Sequence, residues 1–477
     1  MVEDPVRSIL RVLGTALSCV ALVAGATAAH ADTGWSPPAI AWHACPEVPE
    51  AECGTLRVPV DWAEPRGESF DLAVSRRTAT DPARRIGVIV ADPGGPGGSG
   101  AAFAQALALF GPEVRARFDV VGFDQRGTGD SAFVRCSEDL LGHGPSTDPV
   151  DQAGFDALVA HNRALIADCR ARSGPVFDHA DAGQSARDLD ALRRALGERK
   201  VNYVGLSYGT VLGQAYAERF GGHLRSMILD STVDHSADTR RFVNDRAASV
   251  EAAFTEFVKW CDRTPTCAVH GRDVRATWED ALDGADAVGW GRASFIGLVH
   301  NMLYQPAWAE IAQYVSDLAA EKPPLSAAFE YNYLAVRLAT VCQDFSLRVR
   351  DHRDYARLRA EELRLAPTTR GSDLGHDEAM SCAGVTGPPA NPPHRLTIRT
   401  GPKILIMNSR HDPATPYAWA KSIHRQAPAH TALLTYDGWG HIAYDRSDCT
   451  RGVAETYLFT LRTPAEGASC PAVEPTP

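Results

Sequence analysis

The sequence predicts an α/β fold with a mostly parallel β-sheet, flanked by helices and interrupted by a helical insertion. Three observations support this prediction. Short apolar segments typical of buried parallel strands alternate with helical segments over residues 32–234 and 395–477. Between these two parts, residues 235–394 lose the strand pattern and show only helical periodicity. Finally, the segment VNYVGLSYGT at 201–210 has the pattern of a strand, a sharp turn and a helix around G-x-S-x-G.

The amino terminus has the pattern of an export signal. Arg7 and Arg11 precede an apolar run over 12–28, and the A-H-A at 29–31 fits the small-residue motif of a cleavage site. The run is too short and too rich in Ala and Gly for a membrane anchor. We therefore expect a signal peptide over 1–31, no stable membrane insertion after its removal, and a secreted protein. Association with the cell wall is the alternative location.

Charge and motif content exclude several classes of function. The chain has 48 basic and 59 acidic residues, a net charge of −11, which repels the phosphate backbone of nucleic acids. The sequence contains no H-E-x-x-H motif and no pair of His or Cys residues with zinc spacing. We expect neither a nucleic-acid partner nor a metal or other cofactor.

Ten cysteines remain after the signal, and an even number in an exported chain predicts disulfide bonds. The sequence does not fix the pairing, and some of these cysteines could be free buried thiols. The pairs favoured by short loops, followed by those that remain, are Cys45–Cys53, Cys261–Cys267, Cys449–Cys470, Cys342–Cys382 and Cys136–Cys169.

The strands of the core are expected in two groups. A hairpin-like opening and four buried strands make the first group, at 55–60, 70–75, 86–91, 118–123, 201–204 and 224–229. The second group follows the insertion, with strands at 403–407 and 431–436 and a last helix near 449–461. The strand at 86–91 runs into P-G-G-P-G-G-S-G, and the next strand runs into D-Q-R-G-T-G-D-S.

Ser207 is the candidate nucleophile because it lies at the centre of G-L-S-Y-G, between a buried strand and an amphipathic helix. In this context the motif predicts a nucleophile elbow, a strained turn that presents the serine oxygen. The flanking glycines, Gly205 and Gly209, allow the strand and helix backbones to approach closely. A chance match in a glycine-rich chain is the alternative, which the neighbouring context makes a poor explanation.

A serine nucleophile needs a base to take its proton and an acid to orient that base. When the serine lies on a turn between a strand and a helix, the acid comes next along the chain and the histidine follows it. Asp412 follows the strand K-I-L-I-M in the motif H-D-P-A-T-P, and His441 ends the loop motif G-W-G-H. Asp230 also ends a strand and is an alternative acid. Asp437 is a candidate for the acid of the triad only if the role of Asp412 is structural. Thr415 could stabilise the loop of Asp412 by a hydrogen bond.

The tetrahedral intermediate needs two backbone N–H groups to stabilise its oxyanion. One candidate is Tyr208, directly after the nucleophile, and the other comes from the glycine-rich loop after the earlier strand. Gly95 is the first choice there and Gly94 the second. The loop lacks the G-K-[ST] ending of a phosphate-binding P-loop, so an oxyanion hole is the better interpretation.

The five motifs together resemble those of α/β-hydrolase-fold peptidases and, more narrowly, those of secreted bacterial tripeptidyl aminopeptidases and the related proline iminopeptidases. Proline iminopeptidases usually show His-Gly-Gly-Pro, whereas Asp92-Pro93 precedes the glycines here, which favours the tripeptidyl branch. The resemblance implies the triad Ser207, Asp412 and His441 and a helical cap over 235–394.

It also implies a serine exopeptidase that takes peptides with a free N-terminus. Carboxylates should hold the substrate's ammonium group, because a buried ammonium without a counter-charge is costly. The candidates in the cap are Asp344 and Glu330. An esterase or other small-molecule hydrolase with the same triad is the nearest alternative, and a non-catalytic binding protein on this scaffold is the second.

Overall fold

The computed structural model describes residues 35–322 and 334–475. The described residues of the unit Ser36–Pro477 contain one ten-stranded sheet with helices packed around it. No helix in the described parts of the chain is both long enough and apolar enough to cross a membrane. Met1–Trp35 is a separate unit, of which only the last residue is described, so the predicted signal peptide lies outside the described residues.

The strands are β1 His43–Ala44, β2 Glu52–Pro59, β3 Ser69–Arg77, β4 Gly87–Asp92, β5 Phe118–Phe123, β6 Val201–Leu206, β7 Leu224–Asp230, β8 Ile404–His411, β9 Thr431–Trp439 and β10 Ser469–Cys470. Their order across the sheet is β1-β2-β3-β5-β4-β6-β7-β8-β9-β10. The first three pairings, from β1 to β5, are antiparallel, and all pairings from β5 to β10 are parallel. This confirms the predicted mostly parallel sheet.

The central strands are buried on both faces, as helices on both sides of a parallel sheet require. Every residue of β4 and of β6 is buried. Val90 of β4 lies between Val121 of β5 and Tyr203 of β6, so the three strands share one register. All eight predicted strands are present, with ends that differ by a few residues. Only the two-residue strands β1 and β10 at the sheet edges were not predicted.

The α-helices are α1 Gly100–Ala106, α2 Pro112–Arg117, α3 Glu138–Gly142, α4 Gln152–Ser173, α5 Ala182–Ala195, α6 Gly209–Phe220, α7 Thr239–Arg263, α8 Val274–Ala287, α9 Arg292–Met302, α10 Trp308–Leu318, α11 Leu334–Asp344, α12 His352–Leu365, α13 Asp373–Ser381, α14 Tyr417–Gln426 and α15 Asp448–Thr460. Short 3₁₀ helices lie at Pro82–Arg84, Gly174–His179 and Gly221–His223.

Between β7 and β8 the described residues form helices α7 to α13 and no strand. Part of this segment has an aromatic core of its own, in which Trp278 packs near Phe254 and Trp260 packs near Trp308. Trp439 at the end of β9 joins the same core. The helical character matches the sequence prediction, and the division of the chain at 235 and 394 remains our proposal for the limits of the cap.

All five favoured cysteine pairs form disulfides: Cys45–Cys53, Cys136–Cys169, Cys261–Cys267, Cys342–Cys382 and Cys449–Cys470. Cys45–Cys53 and Cys261–Cys267 close the shortest loops, with sequence separations of 8 and 6. Cys342–Cys382 instead joins the end of α11 to the end of α13, which are separated by 40 residues. This bond fixes two helices of the insertion against each other.

Candidate active site

Ser207 lies in the turn between β6 and α6 with φ of +54°, a conformation that non-glycine residues rarely adopt. Its N–H donates to the carbonyl oxygen of Asp230 at 2.9 Å, which holds the turn against β7. The flanking glycines are required by close approach, because a Cβ on Gly205 would lie 2.6 Å from the carbonyl oxygen of Gly209. The local structure is that of a nucleophile elbow.

Asp412 and His441 are directly hydrogen bonded. His441 Nδ1 lies 3.1 Å from Asp412 Oδ1 and 3.0 Å from Oδ2. Because a carboxylate only accepts, the proton of the ring is on Nδ1, and Nε2 is left as the basic nitrogen. His441 and Ser207 line the same cavity, so the structure brings the three predicted triad residues to one place.

The Asp412 carboxylate is fully buried and held in a rigid turn. Its Oδ1 accepts from the N–H groups of Ala414 and Thr415, both at 2.9 Å. The hydrogen bond expected of Thr415 is present, since Thr415 Oγ1 donates to Oδ2 at 2.8 Å. Burial alone would raise the pKa of Asp412, but the charge and hydrogen bond of His441 lower it below its ordinary value. Asp412 is therefore ionised at neutral pH.

Asp230, the alternative acid, contacts the histidine loop through its backbone instead. Its carboxylate accepts from the N–H groups of Ala443 at 2.9 Å and Tyr444 at 2.7 Å. Burial raises the pKa of Asp230 to about 7. This geometry makes Asp230 an anchor for the loop that carries His441, whereas Asp412 is the carboxylate that contacts the ring.

The glycine-rich loop after β4 packs directly on the elbow. A Cβ on Gly94 would lie 2.3 Å from the carbonyl oxygen of Leu206 and 2.8 Å from the nitrogen of Tyr208, and Gly94 has φ of +80°. The N–H of Gly94 already donates to Asp92 Oδ1 at 2.8 Å. Gly95 lines the cavity beside it with φ of +117°. Only glycine fits this loop at Gly94.

Tyr208 has two separate surroundings, one for its backbone and one for its side chain. Its backbone nitrogen faces the glycine-rich loop, while its hydroxyl donates to Asp344 Oδ2 in the protein interior. The Asp344 carboxylate also accepts from the N–H of Ala182 and from Asn391 Nδ2 at 2.6 Å. Burial raises the pKa of Asp344 to about 7.

This position does not fit the substrate contact that the sequence suggested for Asp344. The side chain is fully buried, its oxygens are occupied by groups of the protein, and it is not among the residues that line the cavity. Its hydrogen bonds instead join the insertion to the core, so the role of Asp344 is structural. Glu330, the other candidate, lies outside the described residues.

The cavity has a volume of about 480 Å³. Its lining combines Ser207, His441 and the glycine-rich loop with residues of the helical insertion. The polar lining residues from the insertion are Asn301, Tyr304, Arg337, Asp373 and Asp377. None of these five residues was predicted from the sequence.

Asp373 and Asp377 could have been recognised by their spacing. Residues four apart lie on the same face of a helix, and both aspartates are on α13. Asp373 Oδ1 lies 2.9 Å from His300 Nδ1, and Asp377 Oδ1 accepts from Thr147 Oγ1 at 3.0 Å. Each therefore has one carboxylate oxygen fixed by the protein.

The two aspartates differ in electrostatics. Burial on its own would raise the pKa of Asp373, but the charge and hydrogen bond of His300 lower it below its ordinary value. Burial raises the pKa of Asp377 above its ordinary value, although the charge of His376 opposes this. A cation bound in the cavity would favour the ionised form of Asp377.

The insertion also holds the loops that carry the acid and the histidine. Ser249 Oγ of α7 donates to the carbonyl oxygen of Asp412 at 2.5 Å. The N–H of His441 donates to the carbonyl oxygen of Tyr304 at 2.8 Å, in the connection between α9 and α10. Arg446 donates to the carbonyl oxygens of both Tyr304 and His441, at 2.8 and 2.7 Å. The helical segment therefore supports the loops of both Asp412 and His441.

Comparisons with known proteins agree with this geometry. Residues 368–470 match a family model described as TAP-like protein. The tripeptidyl aminopeptidase of Streptomyces lividans is 32% identical, over 96% of this chain and 90% of its own length. The serine protease Hip1 of Mycobacterium tuberculosis is 30% identical, over 88% and 87% of the two chains. A protein of the same organism named carboxylesterase B is 28% identical over 91% and 90%.

The identity to the Streptomyces relative extends over nearly the whole chain, and the sheet order, the elbow and the hydrogen-bonded acid and histidine are those of an α/β hydrolase. The chain belongs to the tripeptidyl aminopeptidase family of serine peptidases with the α/β-hydrolase fold.

Proposed function

We propose that this enzyme is a secreted exopeptidase that removes short peptides, in particular tripeptides, from the free N-terminus of its substrates. One observation carries the proposal: Asp373 and Asp377 line the same cavity as Ser207 and His441. A peptide whose ammonium group lies against these aspartates can extend across the cavity toward the nucleophile. The name of the Streptomyces relative supports the tripeptide length.

The proposed chemistry is acyl transfer through Ser207. His441 Nε2 takes the proton from Ser207 Oγ as the oxygen attacks the scissile carbonyl carbon, and then gives that proton to the leaving amine. A water molecule, deprotonated by the same nitrogen, hydrolyses the acyl-enzyme and releases the peptide and the serine. Asp412 keeps the ring in the tautomer that has its basic nitrogen free.

The oxyanion of each tetrahedral intermediate is assigned to the N–H groups of Tyr208 and Gly95. The hydrogen bond of Gly94 to Asp92 supports Gly95 over Gly94, because it already engages the N–H of Gly94. The same hydrogen bond orients the loop. A backbone donor on each side of the nucleophile would stabilise the developing charge without any movement of the protein.

The ammonium group of the substrate is assigned to Asp373 and Asp377 in place of Asp344. Two partly buried carboxylates line the cavity with a single arginine, Arg337, and this excess of negative charge favours a cationic ligand. The raised pKa of Asp377 supports this role, since burial disfavours its ionised form by more than the charges of His376 and Arg337 favour it. A substrate ammonium would add a further positive charge beside it.

An esterase is the second candidate, and the relative named carboxylesterase B is the observation in its favour. The triad cannot distinguish an ester from an amide. A panel of tripeptidyl p-nitroanilides, free and N-acetylated, together with aryl esters of short acids, separates the two. We expect N-acetylation to lower kcat/KM on the order of 10²-fold or more, because it leaves a buried carboxylate unpaired.

A matched pair of variants tests whether the cavity causes the preference for free over N-acetylated peptides. Asp377→Asn should raise KM for the free tripeptide substrate and leave the acetylated one little changed. Asp280→Asn, an exposed aspartate of α8, is the control and should behave as wild type. Equal turnover of free and acetylated substrates by the wild-type enzyme would reject the exopeptidase in favour of the esterase. Failure of Ser207 to react with a fluorophosphonate would reject both and indicate a binding protein.

We also propose that the signal over 1–31 directs export. The five disulfides support an oxidising destination, because reduced thiols are usual in the cytosol. Expression of the full chain in a bacterial host tests this. Mature protein recovered from the medium should begin at Asp32, and retention of an uncleaved chain in the cells would contradict it.

A further inference from the structure

His300 is a buried histidine that the proposed chemistry does not use. It lies on α9, and its side chain is 1% exposed. Its Nδ1 is 2.9 Å from Asp373 Oδ1, and its Nε2 is 3.2 Å from the carbonyl oxygen of Thr369. Because a carboxylate and a carbonyl oxygen only accept, the ring donates at both ends only when both of its nitrogens carry a proton.

The distances favour the protonated ring. A neutral ring that donates to Thr369 would place a lone pair on Nδ1 opposite the Asp373 carboxylate. The donor available to that lone pair among the described residues is the N–H of Asp373, which is 3.4 Å away, whereas the carboxylate oxygen is at 2.9 Å. A buried cation needs a counter-charge, and Asp373 supplies it. His300 and Asp373 therefore form an ion pair.

This ion pair has its negative end at the cavity. The Asp373 side chain lines the cavity and is 23% exposed, whereas His300 is not a lining residue. Asp373 Oδ1 accepts from His300 and also from the N–H of Leu374 at 2.8 Å. Within the described residues, Asp373 Oδ2 has no hydrogen-bond partner. One carboxylate oxygen is thus held by the protein, and the other is left to accept from a ligand.

The other end of the His300 ring is fixed as well. The N–H of Thr369 donates to Glu251 Oε2 of α7 at 3.0 Å, so the carbonyl that accepts from the ring belongs to a residue that α7 holds. A ring fixed at both nitrogens cannot turn without breaking a hydrogen bond. It therefore orients its carboxylate partner more precisely than a ring with one contact would.

His376 provides a comparison, because it also contacts a carboxylate and a carbonyl oxygen. Its Nδ1 is 3.1 Å from Glu362 Oε2, and its Nε2 is 3.0 Å from the carbonyl oxygen of Thr147. Glu362 is fully buried and is not a lining residue of the cavity. His300 differs because its carboxylate partner lines the same cavity as Ser207 and His441.

We propose that His300 is a positioning residue for substrate recognition: it fixes Asp373 Oδ1, so that Asp373 Oδ2 receives the ammonium group of the substrate's first residue. This inference rests on the proposed exopeptidase function and goes further, because a residue outside the cavity lining sets the orientation and the charge of the carboxylate that binds the N-terminus. Asp377 differs, since its Oδ1 accepts from the neutral hydroxyl of Thr147. The N-terminus is then held by one carboxylate that the protein keeps ionised and by a second whose ionisation the substrate favours.

A double-mutant cycle tests the proposal. The measured quantity is the selectivity, defined as kcat/KM for a free tripeptidyl p-nitroanilide divided by kcat/KM for its N-acetylated form. His300→Leu removes both ring donors and His300→Gln keeps one, and each is made in the wild-type enzyme and in Asp373→Asn. The control is His270→Gln, which changes a histidine of the insertion that contacts the carbonyl oxygen of Cys261 and does not line the cavity. Circular dichroism and thermal unfolding establish that each variant is folded.

His300→Leu should raise KM for the free peptide roughly 10-fold or more and leave kcat nearly unchanged. The reason is that Asp373 loses a hydrogen bond from a charged group and, without the counter-charge, takes up a proton. KM for the acetylated peptide should not change, and His300→Gln should lie between wild type and His300→Leu. In Asp373→Asn, neither change at His300 should lower the selectivity further, because His300 acts through that carboxylate. The control should behave as wild type.

Two results would overturn the inference. An equal loss of kcat/KM for free and acetylated peptides would give His300 a purely structural role. A fall in selectivity as large in Asp373→Asn as in the wild-type enzyme would mean that His300 does not act through Asp373. If His300→Leu does not fold, the same two comparisons with His300→Gln decide.

These outcomes are separable from failure of the proposed function. If the wild-type enzyme cleaves N-acetylated and free peptides equally, the exopeptidase itself is rejected. If it prefers free peptides and the His300 variants keep that preference unchanged, only the role of His300 is rejected.

Discussion

At the residue scale, Ser207 is held in a backbone conformation that the rest of the elbow enforces. Its positive φ is stabilised by the hydrogen bond to Asp230 and by the glycines around it. The backbone conformation of the elbow does not depend on the size of the side chain at position 207. The fold should therefore tolerate a smaller residue at this position, while the chemistry should not.

Ser207→Ala should remain folded and lose roughly 10³-fold or more in kcat. The reason is that the oxyanion donors and the substrate contacts remain but the acyl-enzyme cannot form. Hydrolysis of the free tripeptidyl p-nitroanilide measures the loss, with the circular dichroism spectrum as the control for folding. Near wild-type turnover would remove Ser207 from the mechanism.

Gly94 has no room for a side chain. Gly94→Ala should lower the free energy of unfolding by about 2 kcal/mol or more and reduce kcat, because the new Cβ would press on the carbonyl of Leu206 and on the nitrogen of Tyr208. Gly452→Ala is the control, since that exposed helical glycine has open space around it and should gain up to about 1 kcal/mol. Urea unfolding measures both. A neutral Gly94→Ala would contradict the packing described for the loop.

Asp230 makes stability depend on pH in a direction opposite to that of a paired carboxylate. Its pKa is about 7 in the folded protein and near 4 when unfolded, so between these values the folded state binds a proton that the unfolded state has lost. This contribution to stability is fully present below about pH 4 and is lost as pH rises toward 7.

Asp230→Asn removes that contribution, so the free energy of unfolding of the variant should fall less steeply as pH rises. The slope of unfolding free energy against pH between 4.5 and 6.5 should differ between wild type and variant by up to about 1.4 kcal/mol per pH unit. Urea titrations at several pH values measure it, and the comparison cancels other titrating groups such as Asp344. Parallel pH profiles would show that Asp230 is ionised throughout.

At the element scale, two connections from different parts of the chain meet at His441. The loop after β9 carries the histidine, and the connection between α9 and α10 provides the carbonyl of Tyr304 that holds its backbone. Arg446 donates to both. The helical insertion therefore holds the backbone of the histidine and also contributes residues to the lining of the cavity.

Arg446→Gln should reduce kcat about 10- to 100-fold with a small change in KM, because a displaced general base reacts poorly while the substrate wall is intact. Arg425→Gln on the exposed end of α14 is the control. Steady-state kinetics separate the two parameters. A rise in KM with unchanged kcat would mean that Arg446 shapes the substrate site and does not position His441.

At the scale of the whole molecule, the disulfides stabilise loops of very different length. By loop entropy, replacing Cys342 and Cys382 with serine should cost about 4 kcal/mol for the 40-residue separation, against about 2 kcal/mol for Cys261 and Cys267 with a separation of 6. Urea unfolding of the two double variants measures the difference. A larger loss for the short loop would show that local packing, and not loop closure, controls these bonds.

Much of the core was predictable because its signals are local. The apolar segments of β4 and β6 and the glycines around Ser207 depend on neighbours within a few residues. Cysteine spacing favoured the three pairs with the shortest loops for the same reason, and the pairs separated by 33 and 40 residues were those that remained. The limits of the insertion and the lining of its cavity were harder to predict. Helical periodicity identifies a helix and its buried face, but it does not identify the element against which that face packs.

Asp344 and Arg337 show where sequence reasoning failed. The family resemblance made Asp344 a candidate ligand for the substrate's ammonium group, yet its partners Ala182 and Asn391 lie 162 and 47 residues away in the chain. Asp373 and Asp377 share a helix face that the spacing could have revealed, but no local pattern indicates that this face meets a cavity. Arg337 gives no local signal at all.

The sequence by itself therefore determined the fold class and the family, and it predicted the chain order of the proposed triad. These follow from short-range periodicity, turn chemistry and motif order. Only the tertiary structure decided which charged side chains of the insertion reach the cavity and which are used to join it to the core. The physical reason is that burial and charge pairing depend on residues brought together from distant parts of the chain. The same kind of carboxylate can therefore bind a substrate or join two parts of the protein.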